Sequence, residues 1–354
     1  MRAGALDVVL DGAASLPMLR HLALALAGIA LALAVAALLV LSSGKNPLVA
    51  YGSLVAGALG SWDRVAVALN KATPYLLTGA GVALCFRAKV INIGGEGQIA
   101  LGGLAATWVA LSVPDVPGLI LPVLALAAGC AAGAGWAALA ALIRLTRNVH
   151  EVLVTLLMNF VGVLLVGEAL HGDLGEPGAG FPQSPLLARA AWLPKLLPGT
   201  DLHVGILLAV AAVLACHVAL WRTPFGFRLR VLGASEPAAA YAGVSKARTL
   251  LLVMLVAGGL AGLAGAIDVL GVHYRLIEGF SSGFGFAALS IALIGGLNPI
   301  GILPAGLFFG FLETGALAMQ RAVGVPSPLV AVIQGLTMVF ILAAMALPAR
   351  RPRA

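Results

Sequence analysis

Residues 87–103 read RAKVINIGGEGQIALGG, two cations followed by a run that stays apolar to about residue 112 apart from Asn92, Glu96 and Gln98. A carboxylate in an apolar run costs on the order of 3 kcal/mol unless a partner or a wet cavity receives it, which marks Glu96 as a functional candidate. Gly94, Gly95 and Gly97 lie among these polar residues. Glycines let another backbone or a solute approach closely, and they loosen a helix locally. The competing reading is a glycine-rich packing face whose glutamate snorkels to the membrane interface.

The rest of the chain sets that stretch in a membrane. Of 354 residues, 61% are hydrophobic and 10% charged, with mean hydropathy +1.06. Soluble domains carry about 25% charged residues. Apolar runs of about 20 residues recur, the length of a transmembrane helix, and they do not alternate as β-barrel strands do. The fold class is therefore an all-α polytopic membrane protein, read as one transmembrane domain over residues 1–354. The net charge of +7 sits in short loops, so it does not point to nucleic acid. Cys85, Cys130 and Cys216 are scattered without metal or disulfide spacing. The first apolar run is too long for a signal-peptide core and is expected to remain as a helix.

Ten spans are expected, at residues 21–41, 65–86, 90–112, 118–143, 149–170, 203–221, 249–271, 284–297, 300–319 and 328–347. A short apolar piece, 48–59, follows the first. The second is interrupted by Asn70, Lys71 and Pro74, and residues 171–202 form a polar connection containing Trp192. Of the 21 Lys/Arg, 14 fall at the amino terminus, at Arg87/Lys89, at Arg144/Arg147, in the 222–248 loop and in the tail ARRPRA. Cation-rich loops stay in the cytoplasm, which predicts both termini inside.

Other polar residues interrupt the spans. Glu313 is charged and mid-span, and Asp268 lies near one end of the seventh span. Asn159 and Gln334 are uncharged and can serve a neighbouring helix for about 0.6 kcal/mol, or line a path. Gly258 and Gly262 are four apart on one helical face, a packing signal. The six histidines are dispersed, no catalytic triad or metal-ligand set stands out, and Gly44-Lys45 lacks the context of a phosphate-binding loop. No catalytic and no metal-binding residues are therefore expected. Segment 236–243, EPAAAYAG, reads as a short helix and turn, with Gly243 permitting the turn.

Three blocks together resemble the permease subunits of ABC importers for nucleosides and simple sugars, within the branched-chain amino acid/ribose-type superfamily. They are NIGGEGQ at 92–98, NVHEVLVTLLMNF at 148–160, and 233–342, which contains GASEPAAAYAGV, GGLAGLAGA, GFSSGFGF and ALIGGLNPIG. The Gly-Glu-Gly-Gln ending is more similar to the nucleoside branch. The resemblance implies a type II importer-like permease in a bacterial or archaeal cytoplasmic membrane. Its partners would be a second permease (related or identical), an extracytoplasmic substrate-binding protein, membrane lipid and separate ATPase subunits. Those ATPases would bind ATP and Mg, leaving no cofactor and no enzymatic step in this chain. The 222–248 loop would dock on the ATPase through Glu236, Ala239, Ala240 and Gly243.

The expected substrate path draws on Asn92, Glu96, Gln98, Asn159, Phe160, Asp268, Glu313 and Gln334. Amides and carboxylates suit ribose hydroxyls and base edges, and Phe160 suits a flat ring. Three alternatives stand beside a nucleoside permease. One is a ribose/galactose-type permease of the same architecture. The second is an ion-coupled transporter using Glu96, Asp268 or Glu313. The third is a membrane enzyme, which would need a cluster of ionisable residues at one interface.

Overall fold

The computed structural model describes residues 18–116, 118–281 and 283–345. Arg2 and the tail ARRPRA, both used in the orientation count, lie outside the described residues. The helices are α1 (Met18–Ser42), α2 (Pro47–Leu59), α3 (Trp62–Arg87), α4 (Gly95–Ser112), α5 (Ile120–Arg147), α6 (Glu151–His171), α7 (Gly205–Arg222), α8 (Pro224–Ala234), α9 (Glu236–Tyr241), α10 (Lys246–Asp268), α11 (Phe284–Ile294), α12 (Pro299–Val323) and α13 (Ser327–Met345). Their starts follow local chemistry. Asn46, Ser61, Thr223, Ser235, Ser245 and Asn298 each accept a backbone N–H of the first turn. Proline opens α2, α8, α9 and α12, where its missing N–H costs nothing.

Among the described residues, six helices are long and apolar enough to cross a membrane, and α2, α11 and most of α13 are shorter apolar helices. Among the described residues the only β features are isolated bridges, Gln183 with Ile277 and Lys195 with His203. The chain is thus all-helical, as its composition required.

Three expectations change in detail. The 90–112 span becomes helical only at Gly95, because residues 90–94 run as irregular chain after a left-handed Lys89 (φ 54°). Asn92 takes the Gly94 N–H at 2.9 Å, a local bond that competes with helix. The 284–297 span is a half-helix, α11, about 16 Å long for its 11 residues. Residues 274–281 lead toward it without helix. Finally, Asn70, Lys71 and Pro74 do not interrupt α3, which runs unbroken through Pro74.

The two short-starting helices meet. Gly285 at the head of α11 packs directly on the backbone of Gly95 and Glu96 at the head of α4. Gly95 also abuts Thr78, midway along α3, so this junction lies inside the bundle. From it, α4 runs toward the Trp62 end of α3 and α11 runs to the Arg87 end.

Glycine contacts pack the long helices around this junction. Cβ atoms added at Gly258 or Gly262 of α10 would collide with the backbone carbonyls of Gly133 or Gly129 in α5. That is the close approach expected of small residues spaced by four. Gly265 meets the Ile99 carbonyl of α4 in the same way, and Gly310 of α12 lies against Ala68 and Ala72 of α3.

Candidate functional site

Glu96 is 6% exposed and sits in the first turn of α4. Its Oε1 accepts the Ser281 hydroxyl at 2.6 Å and the Gly283 amide at 3.0 Å. Its Oε2 accepts the Gly285 amide at 2.8 Å. The carboxylate therefore satisfies the opening amides of α11 while standing at the head of its own helix. Both helix N-termini carry partial positive charge, so one anion between them is favourable to each.

The neighbouring amides hold the irregular chain. Asn159 of α6 accepts the Gly97 N–H at 2.9 Å and donates to the Ile93 carbonyl at 2.7 Å. Thr155, one turn earlier, accepts the Ile93 N–H at 3.2 Å. Asn92 and Gln98 pair through their side-chain amides at 3.1 and 3.3 Å. Backbone without helical bonds survives inside an apolar bundle only where such partners exist. Of the predicted residues, Asn92, Glu96, Gln98 and Asn159 thus lie in one cluster. Arg144 of α5 forms an ion pair with the buried Glu151 at the start of α6.

Glu313 of α12 belongs to an adjacent cluster on α3. Lys71 Nζ lies 3.1 Å from its Oε1, and the Tyr75 hydroxyl donates to Oε2 at 2.7 Å. Tyr75 stands edge-on to Phe284, the first residue of α11, and the Lys71 ammonium lies 5.2 Å from the same ring. Asp268 is elsewhere, at the end of α10, with His273 Nε2 at 3.2 Å. Phe160 is 59% exposed on α6, and Gln334 is half-buried on α13. An open cleft of about 800 Å³ between α4 and α6 is lined by Trp108, Glu168 and Asp173 and by none of the predicted residues.

At the Arg87 end, α8 and α9 form a compact hairpin. Ser235 caps α9, Lys246 pairs with Glu236 at 2.7 Å, and Gly243 turns out at φ 72°. Glu236, Ala240 and Gly243 are exposed, Ala239 is buried, and Tyr241 is 95% exposed at the tip.

The family described as branched-chain amino acid transport system / permease component matches residues 64–342. The chain belongs to this permease family. It is 38% identical over 321 residues to a glucose ABC transporter permease protein of Haloferax volcanii, covering 88% of this chain and 84% of that one. It is 34% identical to a guanosine ABC transporter permease protein of Bacillus subtilis, covering 91% and 93%. A nucleoside ABC transporter permease protein of Lactococcus lactis is 31% identical, covering 86% of each. No solved structure matches.

The match spans the half-helix junction, the Lys71–Glu313 cluster and the α8–α9 hairpin of the permease. Reasoning from sequence passed over Tyr75, Thr155 and Ser281, and treated Lys71 only as an interruption. The charge at Lys71 inside an apolar run was the one signal available, since the partner of a buried carboxylate is normally a cation or a donor.

Proposed function

We propose that this permease is the membrane subunit of an ATP-driven importer and passes nucleosides inward. The observation carrying the substrate is the near full-length similarity to the guanosine and nucleoside permeases. The 38% identity to the glucose permease favours a second reading, a simple-sugar importer of the same architecture. ATP and Mg would be held by separate ATPase subunits. A second permease and an extracytoplasmic binding protein would complete the assembly in the cytoplasmic membrane.

Ten crossings follow if α2 does not cross and the chain 90–94 with α4, and 274–281 with α11, each count as one. Ala88, Lys89, Arg144, Glu236 and Lys246 line one cleft, which supports a shared end for those cation-rich loops. The positive-inside rule puts that end in the cytoplasm, with both termini. The exposed Glu236, Ala240, Tyr241 and Gly243 then form the ATPase-facing surface, and the inward Ala239 seats α9 on the body. Asn92, Glu96, Gln98 and Asn159 hold the junction beside the path. Phe160, Glu313, Asp268 and Gln334 are its proposed solute-facing residues.

Uptake of labelled uridine and guanosine by cells with and without the gene tests this, with ribose and glucose as competitors. Loss of nucleoside uptake on deletion, insensitive to sugar, is the expected result. Unchanged nucleoside uptake with sugar entry lost would replace the substrate and keep the permease.

A further inference from the structure

Arg87 makes more contacts than a topology-setting cation needs. Its Nε donates to the Leu297 carbonyl at 2.8 Å and its Nη2 to the Gly296 carbonyl at 3.2 Å. Both acceptors lie in the turn that ends α11, where Gly296 (φ 66°) and Leu297 (φ 52°) are left-handed. For leucine that conformation costs roughly 1 kcal/mol and persists only where its surroundings enforce it. The Arg87 guanidinium also lies 5.5 Å from the Trp221 ring, and Arg230 of α8 lies 4.9 Å from the same ring. Gly233 of α8 packs against the Arg87 carbonyl so closely that no Cβ fits. One side chain thus joins the end of α11 to the α7–α8 corner.

The other end of α11 is equally fixed. Glu96 holds its first amides, and the chain feeding it is bonded to the 182–187 segment. Ser184 N donates to Leu276 O at 2.8 Å, Leu187 N to Tyr274 O at 2.9 Å, and Glu278 N to Pro182 O at 3.0 Å. A short rigid helix therefore stands between the loop at one face of the bundle and the hairpin at the other.

We propose that Arg87 is a positioning residue that couples α11 to the α8–α9 hairpin, so that displacement of the hairpin moves α11 against its Glu96 anchor. The identity of what displaces the hairpin, an ATPase subunit, rests on the importer reading above. Lysine at position 87 keeps the charge, and with it the membrane orientation. It lacks the planar fork that binds two adjacent carbonyls while stacking on an indole.

The test compares wild type, R87K and W221L in proteoliposomes containing the permease with its ATPase, partner permease and binding protein. Labelled guanosine and glucose uptake and ATP hydrolysis are measured in the same vesicles. R87K should assemble in the wild-type orientation and retain hydrolysis, while uptake per ATP falls about tenfold. A wild-type ratio in R87K, or uptake and hydrolysis lowered in proportion, overturns the proposal. If R87K does not assemble, W221L decides, because it removes the ring that Arg87 shares with Arg230 and leaves the fork intact; a wild-type ratio there also overturns it. Absence of ATP-driven uptake of either solute by the wild type would overturn the importer reading itself, an outcome separate from any variant effect.

Discussion

The Glu96 carboxylate and the Gly285 amide belong to helices that point in opposite directions, and a 2.8 Å hydrogen bond joins them. With Ser281 and Gly283 on the same carboxylate, α4 and the half-helix α11 become one continuous support through the bundle. A charge that looked costly in an apolar run is compensated by three donors and two helix dipoles.

Replacing Glu96 by alanine orphans those donors, so the folded state should lose on the order of 3 kcal/mol or more. Glutamine keeps an acceptor but turns an NH₂ toward backbone amides, and should lose about 1–2 kcal/mol. Thermal unfolding of the detergent-solubilised protein ranks the two. Equal melting of E96A and wild type would show that the bonds do not hold the junction.

Gly262 tests the three-helix packing. Its added Cβ would collide with the Gly129 carbonyl and stand 2.8 Å from Gly133 Cα, backbone atoms that cannot yield. Gly262→Val should therefore destabilise by about 3 kcal/mol, at the upper end of overpacking costs. Gly135 of the same contacting helix α5 has nothing within 4 Å of a Cβ. Gly135→Ala should be neutral or stabilise by up to about 1 kcal/mol. The pair, compared by melting temperature, separates steric packing from any general intolerance of change.

Much of the helical layout is legible because apolar runs, caps and glycine spacing are local properties. Gly258 and Gly262 announced their packing face, and the alanine-rich 236–243 segment with Gly243 announced the small helix and its turn. Hydropathy cannot separate irregular apolar chain from helix, which hid the late start of α4 at Gly95. The partners of Glu96 are 185 or more residues away along the chain, so nothing local names them. In the same way Lys71 and Glu313 read as separate oddities until α3 and α12 bring them together. Three consecutive alanines, 238–240, carry no contrast that would tell the buried Ala239 from its exposed neighbours.

The Lys71–Glu313 pair should behave as a unit. Their side chains are 24% and 14% exposed, so solvent screens the attraction only in part. Removing one partner leaves the other charge poorly compensated, while removing both does not. K71M and E313Q should each destabilise, and the double variant should cost less than their sum by about 1–2 kcal/mol. Strict additivity in a double-mutant cycle would show that the two groups do not interact.

His203, in the loop before α7, is 1% exposed, and burial pushes its imidazole down to about 4 despite the opposing pull of Asp268 and Asp201. The unfolded imidazole titrates near about 6.5, so between those values the unfolded chain binds the extra proton. Stability contributed by neutral His203 is then complete above about pH 6.5 and is lost as the pH falls toward 4. At pH 5 the loss should be about 2 kcal/mol relative to pH 7, and His203→Gln should flatten the dependence. Melting at the two pH values, with and without the substitution, reads it directly.

Gly243 gives the sharpest test of the hairpin as the energy-coupling element. A Cβ there would touch nothing within 4 Å, so substitution acts through backbone conformation alone. At φ 72° a β-branched residue is strained by roughly 1–2 kcal/mol, whereas asparagine enters the left-handed region readily. The Val244 N–H that bonds Ala239 at 2.9 Å closes this turn, and straightening it would swing Tyr241 away from its present position. Gly243→Val should leave assembly and ATP hydrolysis in place while uptake drops, and Gly243→Asn should transport close to wild type. Undiminished uptake by Gly243→Val would remove residues 236–243 from the coupling mechanism.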